Sequence, residues 1–455
     1  MSWMHASTKS ALLQAGLGLS LIAFCAATAL IPASDPRTPH AGAYGFAYTG
    51  AGMQLGAQIW SALESPPFWL LKARAYERAG EFARADQAWR AAINVSGFDS
   101  DIGLDYAQFL ERHGRSKDVE PFLITLHNRR PENLDVLGRL AQVELSLRQW
   151  DKADTVAAAI RTLEPSKPLA GQIAAAALIG RGEFDKAVDA YRRLAQQHPG
   201  SGSATALATA LVAAHKTAEA AQILEAEIGR SPVDAQALVL LGWIEDGDGQ
   251  PDKARDRFTL AIEREPHSNS GYLALAQLDM RDHRTEDAIA VLRSGRRAVP
   301  DDQLVQFELG IALQMAKQYD EAISVYEDML RTNPGALVAA NNLAVLLADY
   351  RRDRASLDRA ATLAAMLDGP DLSQFTDTRG WVSYRRGDYE AATALLERAA
   401  AAAPDRAAVR YHLGMSYLAR HENAKAAAEL KTAATLKPDP ELAAEIDKAI
   451  TAAGR

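Results

Sequence analysis

The sequence holds one cysteine, Cys25, in 455 residues. A single thiol closes no internal disulfide and builds no multi-thiolate metal site, so covalent staples and zinc knots are excluded as sources of stability. An excess of positive charge is also missing: 50 Lys and Arg stand against 58 Asp and Glu, a formal net charge of -8. Nucleic-acid affinity rests on cations that neutralise phosphates, so no nucleic-acid partner is expected. Catalytic signatures are absent as well. There is no glycine-rich loop ending in Lys-Ser or Lys-Thr, no His-Glu-x-x-His and no nucleophile elbow. The histidines at His113, His127, His198, His215, His267, His283, His412 and His421 are scattered at spacings that suit turns and helix ends, so they are expected to be solvated or capping, with no metal site. Acidic pairs such as Asp301-Asp302 stand where helices begin, at the positive end of the helix dipole. These absences argue against an enzyme and imply no cofactor. What remains is a chain with 48% hydrophobic and 24% charged residues, ample for a large folded core or for several small ones side by side.

Long apolar runs are scarce, and the one that occurs is N-terminal. Ala11 to Ile31 carries no charge and follows Lys9. As a helix rising about 1.5 Å per residue it would cross roughly 30 Å of hydrocarbon. A retained inner-membrane anchor and an export signal cleaved after Ala29 both fit residues 1–31. Lipid attachment at Cys25 is opposed by bulky Phe24 just before it. In each case Lys9 stays inside and the rest of the chain crosses into the periplasm, membrane-anchored or soluble. Residues 32–65, rich in Pro, Gly and Ala, read as a linker.

From residue 66 the chain repeats itself. Prolines at Pro131, Pro165, Pro199, Pro232, Pro266, Pro300, Pro334, Pro370, Pro404 and Pro438 recur at a nearly constant spacing. A small residue recurs ahead of each proline, at Ala107, Ala141, Ala175, Ala208, Gly242, Ala276, Gly310, Ala344, Gly380 and Gly414. A second recurs closer to it, at Ala153, Ala187, Ala220, Ala254, Ala288, Ala322, Ala360, Ala392 and Ala426. Two small residues per period mark two helices whose backbones approach closely, with large neighbours such as Trp89, Tyr191, Phe258 and Tyr326 filling the space around the contact. In the unit from Asp377 to Pro404, Gly380 is the crossing point, Gly387 and Asp388 the turn, Tyr389, Ala392, Leu396 and Ala399 the apolar stripe of the second helix, and Pro404 the stop. The unit around Leu347 to Ala361 is longer than the others, and the added residues are expected in the turn between its helices.

This pattern of helix, turn, helix and closing proline resembles the tetratricopeptide repeat family. The resemblance implies an all-α, right-handed superhelical solenoid of about eleven helix-turn-helix repeats over residues 66–438, preceded by one N-terminal transmembrane or signal helix. A capping helix is expected within 439–455, from Glu441 to Thr451. Within the family, "NNLAVLLAD" from Asn341 to Asp349 and "DTRGWVSYRRGDYEAA" from Asp377 to Ala392 look like repeats of envelope proteins of bacterial exopolysaccharide and PEP-CTERM (exosortase) systems. That likeness implies a scaffold in exopolysaccharide export or surface-protein sorting. The alternatives are an assembly factor for another envelope complex and an accessory subunit of an envelope polymerase or transferase.

A stacked solenoid lines its concave wall with one stripe of each first helix. In the C-terminal third that stripe is apolar and aromatic, and the expected contacts for a protein or peptide ligand are Phe307, Ile311, Asn341, Val345, Trp381, Tyr411 and Met415. Family members that clamp a chaperone's terminal carboxylate use Lys and Asn here, whereas this chain has Phe307, Asn341, Asp377 and Tyr411, which disfavours that role.

Overall fold

The computed structural model describes residues 65–454 except 232–234, 352 and 370–371. The proposed anchor or signal and almost all of the linker lie outside the described residues. Among the described residues there are 23 helices and no strand. The first helices of successive pairs are α1 (Pro66–Arg78), α3 (Ser100–Arg112), α5 (Leu134–Ser146), α7 (Leu169–Gly180), α9 (Ser201–Ala213), α11 (Ala235–Gly247), α13 (Ser270–Arg281), α15 (Gln303–Met315), α17 (Leu337–Tyr350), α19 (Ser373–Arg385) and α21 (Ala407–Ala419). Their partners are α2 (Phe82–Val95), α4 (Ser116–Arg129), α6 (Trp150–Leu163), α8 (Phe184–Gln197), α10 (Thr217–Arg230), α12 (Pro251–Arg264), α14 (Thr285–Ala298), α16 (Tyr319–Thr332), α18 (Arg354–Met366), α20 (Tyr389–Ala402) and α22 (Asn423–Thr435), and α23 (Pro440–Ala453) follows alone. None of the described helices is long and apolar enough to cross a membrane.

The chain divides into two compact units. One contains the described residues up to Ala75 together with Ala83–Gly97, with Ala73, Ala85, Ala88, Trp89, Ala92 and Ile93 buried in it. The other comprises Tyr76–Phe82 and the chain from Phe98 onward, and is a solenoid in which each helix packs on the next in the chain.

Within that solenoid the small residues sit where the helices cross. Ala107, Ala141, Ala175, Ala208 and Ala344 on first helices, and Ala153, Ala187, Ala220, Ala254, Ala288, Ala322, Ala360, Ala392 and Ala426 on second helices, are all at 0% exposure. Phe258 and Tyr326 fill the adjoining space, both at 0%. The glycines among them answer to space alone. A Cβ on Gly310 would lie 2.5 Å from Cζ of Tyr326, and one on Gly380 would lie 2.7 Å from Cγ of Leu396. The Tyr326 hydroxyl is then met by the side-chain amides of Gln314 at 2.6 Å and Asn342 at 3.1 Å, so the ring that fills the crossing carries no orphaned polar atom.

In ten of the eleven helix pairs the turns share one conformation. Gly80, Gly114, Gly182, Gly249 and Gly387 have φ between 69 and 87°, and the matching places in other repeats hold Arg148, His215, His283, Lys317 and His421 at 58–61°. A left-handed residue therefore ends the first helix whether or not it is glycine. Asp388 then caps α20, accepting the amide of Ala391 at 3.2 Å, and Asp302 caps α15 through the amide of Val305 at 2.9 Å.

Three expectations are corrected. The added residues of the ninth unit do not lengthen its turn, which is 351–353, as short as the turn 316–318 in the unit before. Asp353 accepts the amide of Ser356 at 3.0 Å and starts α18 early, so the extra length goes into the connection 367–372, longer than 333–336. Tyr389 leaves the buried stripe of α20 and is 39% exposed, its ring against Tyr384, while Ala392, Leu396 and Ala399 are at 0%. Two histidines are not solvated: His113, the C-cap of α3, is buried at 9%, and His412, inside α21, is half-buried between Trp381 and Asp377.

Because the cost of a side chain at a crossing depends on what it meets, two glycines should respond oppositely to alanine. Gly310→Ala, which meets the Tyr326 ring, should lose about 1–3 kcal/mol. Gly138→Ala meets only Leu169 Cδ2 at 3.7 Å and should gain up to about 1 kcal/mol from helix propensity. Thermal midpoints of the two variants check this.

Candidate functional site

Counting from its first residue, each first helix presents positions two, five, nine and twelve on one side, because offsets of three and four residues return to the same face. On α15 that stripe is Leu304, Phe307, Ile311 and Gln314, and on α17 it is Val338, Asn341, Val345 and Ala348. On α19 it holds Asp377, Trp381 and Tyr384, and on α21 Tyr411, Met415 and Leu418.

The expected contact residues fall into two groups. Trp381 and Tyr411 are brought together, with ring centroids 6.2 Å apart, in a cluster that also holds Tyr384, stacked on Trp381 at 4.8 Å, and His412, stacked on it at 4.1 Å. This cluster is tied down by polar bonds. The Trp381 indole N–H donates to Asp349 Oδ1 at 2.8 Å, Arg385 donates to the same oxygen at 3.1 Å, and His412 Nδ1 lies 2.9 Å from Asp377 Oδ1. Trp381 is only 5% exposed. Its contacts run from α17 to α21, so it joins three repeats and offers a ligand little surface. Tyr411 and Met415 remain half-buried beside the core that α21 shares with α23.

The second group lies on α15 and α17. Ile311, Asn341 and Val345 are half-buried, and Phe307 packs against Tyr326 with centroids 6.4 Å apart. Two residues that were not expected extend this stripe outward: Leu304 is 59% exposed and Val338 45%. Their signal was in the sequence, at position two of the same stripe, one turn before Phe307 and Asn341. At the far end of α15 the exposed Lys317 pairs with Glu441, the second residue of α23, at 2.8 Å.

Burial, with the charges of Glu445 and Asp349 and the neighbouring Tyr384, pushes the Tyr411 hydroxyl up to about 12, against the opposing pull of Arg385. Burial raises Tyr384 as well. Both rings are neutral at physiological pH and offer apolar faces with a hydroxyl at the tip. Among the described residues no group of three or more His, Cys, Asp or Glu is placed to hold a metal ion.

With this geometry in view, comparison with known proteins is direct. Tetratricopeptide repeat models match residues 172–201, 205–269, 273–336 and 384–445. The chain is a tetratricopeptide repeat protein. No curated protein sequence matches it. Among solved structures, this tetratricopeptide repeat protein is similar to one from Parabacteroides merdae (18% identity, 58% of this chain and 99% of that one, TM-score 0.41). It is also similar to a chain of the APC/C hetero-tetramer Cut9-Hcn1 (11% identity, 88% and 99%, TM-score 0.40) and to yeast Tom70 (16%, 89% and 92%, TM-score 0.37).

One carboxyl of the tetratricopeptide repeat solenoid stands apart. Glu144 on α5 is 3% exposed, and its Oε2 meets no donor. Burial first, and the Glu120 charge second, push it up from 4.5 to about 7, with Lys152 pulling the other way. A buried carboxyl whose Oε2 meets no donor costs stability once it ionises. Because its folded value lies above its unfolded one, the native state holds the extra proton between the two. Stability is therefore full below about 4.5 and falls as pH rises toward about 7. Glu144→Gln should remove that fall: its stability relative to wild type should improve by about 2 kcal/mol between pH 4 and pH 8, read from unfolding midpoints at both.

Proposed function

We propose that this protein is a non-enzymatic scaffold of the bacterial cell envelope, whose concave face on the eighth and ninth repeats receives an apolar segment of a partner protein. Tetratricopeptide repeat solenoids bind protein or peptide partners, and this chain has the fold for it. The observation that carries the reading is the row Leu304, Phe307, Ile311 on α15 beside Val338, Val345 on α17, with no charged side chain at these stripe positions and with Leu304 and Val338 largely exposed. An apolar row of this kind on a helix face suits a segment that inserts apolar anchors at helical or extended spacing. The Trp381–Asp349 tie fixes the neighbouring helices and so positions the row.

The envelope setting rests on Ala11 to Ile31, uncharged and preceded by Lys9, and the role in exopolysaccharide export or surface-protein sorting on the likeness of the Asn341–Asp349 and Asp377–Ala392 segments to repeats of those systems. The protein then sits in the periplasm, held by residues 11–31 where they are retained.

A photo-crosslinking residue at Val338, in the full chain expressed in the producing bacterium, tests both parts. The expected result is an adduct with an envelope protein that disappears in Leu304→Glu while the thermal midpoint stays at the wild-type value. No adduct, or one that survives Leu304→Glu, would overturn the binding row. Adducts confined to cytoplasmic proteins would overturn the envelope setting.

A further inference from the structure

The residue that follows the first helix of each pair is a surface residue in most repeats. Leu147, Asp248, Asp282, Arg386 and Arg420 at this place are all exposed. His113, after α3, is 9% exposed. Part of its cover is local. Its ring centroid lies 4.2 Å from that of Phe82 and 4.6 Å from that of Phe109, and Nε2 is 3.1 Å from Glu77 Oε1, which Arg112 also reaches at 2.9 Å.

The remaining cover comes from far along the chain. Gly335, in the connection 333–336 that enters the ninth repeat, lies against the His113 ring. A Cβ built on Gly335 would fall inside the van der Waals envelopes of Cε1 and Nδ1 and 3.1 Å from Nε2. Gly335 is itself buried, and its amide is held by Asn333 Oδ1 at 3.2 Å. Its φ is outside the left-handed region, so backbone freedom does not explain the glycine. Space does. The other glycine that directly follows a repeat-closing proline, Gly200, has nothing within 4 Å of its Cβ position. The Lys317–Glu441 pair has the same sense: a turn of an earlier repeat meets the start of a helix well beyond the next one.

We propose that His113 and Gly335 form a clasp that closes one superhelical turn of the solenoid, from the turn of the second repeat to the entrance of the ninth. The clasp blocks sideways entry to the concave face of the repeats between them. A partner reaches that face from an end of the solenoid or by parting the clasp, and parting it moves the eighth and ninth repeats relative to the second. A ring seated on a glycine resists compression but contributes only dispersion and modest apolar burial, so it is a contact that binding energy can open.

The test is a pulsed dipolar distance measurement between spin labels at Lys117→Cys and Glu327→Cys, both exposed, in the full chain carrying Cys25→Ala. The parent should give a single narrow distribution. Gly335→Val, which cannot seat the ring, should shift it to longer distance and broaden it, and His113→Ala should broaden it in the same way. Gly200→Val should leave it unchanged. A broad parent distribution, an unchanged one in both Gly335→Val and His113→Ala, or an equal shift in Gly200→Val would overturn the clasp. Helix content by circular dichroism accompanies each variant; if Gly335→Val loses helix, His113→Ala, which adds no bulk, decides by the same comparison.

Discussion

The closeness of two helix backbones at one small residue is the constraint on which this solenoid depends. Where Ala322 faces α15 and Gly310 faces α16, the helices can approach only because neither carries a side chain beyond a methyl group, and Tyr326 then fills the space beside the crossing. Replacing either by a larger residue separates the pair, and the next pair has nothing fixed to stack on. Burial per repeat is modest, so stability comes from repetition: each pair is held by the pair on either side. Among the described residues a continuous core runs from Ala276 to Val382, across α13 to α19.

Function inherits this constraint. Since the crossing face is committed to packing, the first helices can present only their remaining stripe to a partner, and its chemistry varies from repeat to repeat without disturbing the fold. On α19 the stripe is consumed by structure, with Trp381 bonded to Asp349 and stacked between Tyr384 and His412. On α15 and α17 it stays open at Leu304 and Val338. One stripe is thus tied into the core on α19 and exposed on α15 and α17.

The helix pairs were legible because the crossing demands a residue type, and a demand for Ala or Gly at fixed spacing survives in the sequence as a period. Gly387 as a turn residue was legible for the same reason, since a left-handed backbone favours glycine. Arg148, His215, His283, Lys317 and His421 adopt that conformation without it, and nothing in their chemistry announces this. The early start of α18 was hidden because it depends on one cap, Asp353 to Ser356, in a stretch whose apolar pattern suits either a long turn or a long connection. Spacing groups these residues on one side of each first helix, but it does not divide them into a tied cluster and an open row, because Trp381 reads the same whether its indole meets Asp349 or a ligand. The burial of His113 depends on Gly335, and a contact between distant repeats leaves no periodic trace.

Native-state hydrogen exchange resolved repeat by repeat tests the central claim that small-residue crossings, propagated through the continuous core, hold the solenoid. Slowest exchange is predicted for the amides of α15 to α18, at the centre of the core from Ala276 to Val382, with protection falling steadily through α21 to α23. Protection that is uniform along the solenoid, or greater in α21 to α23 than in α15 to α18, would contradict it.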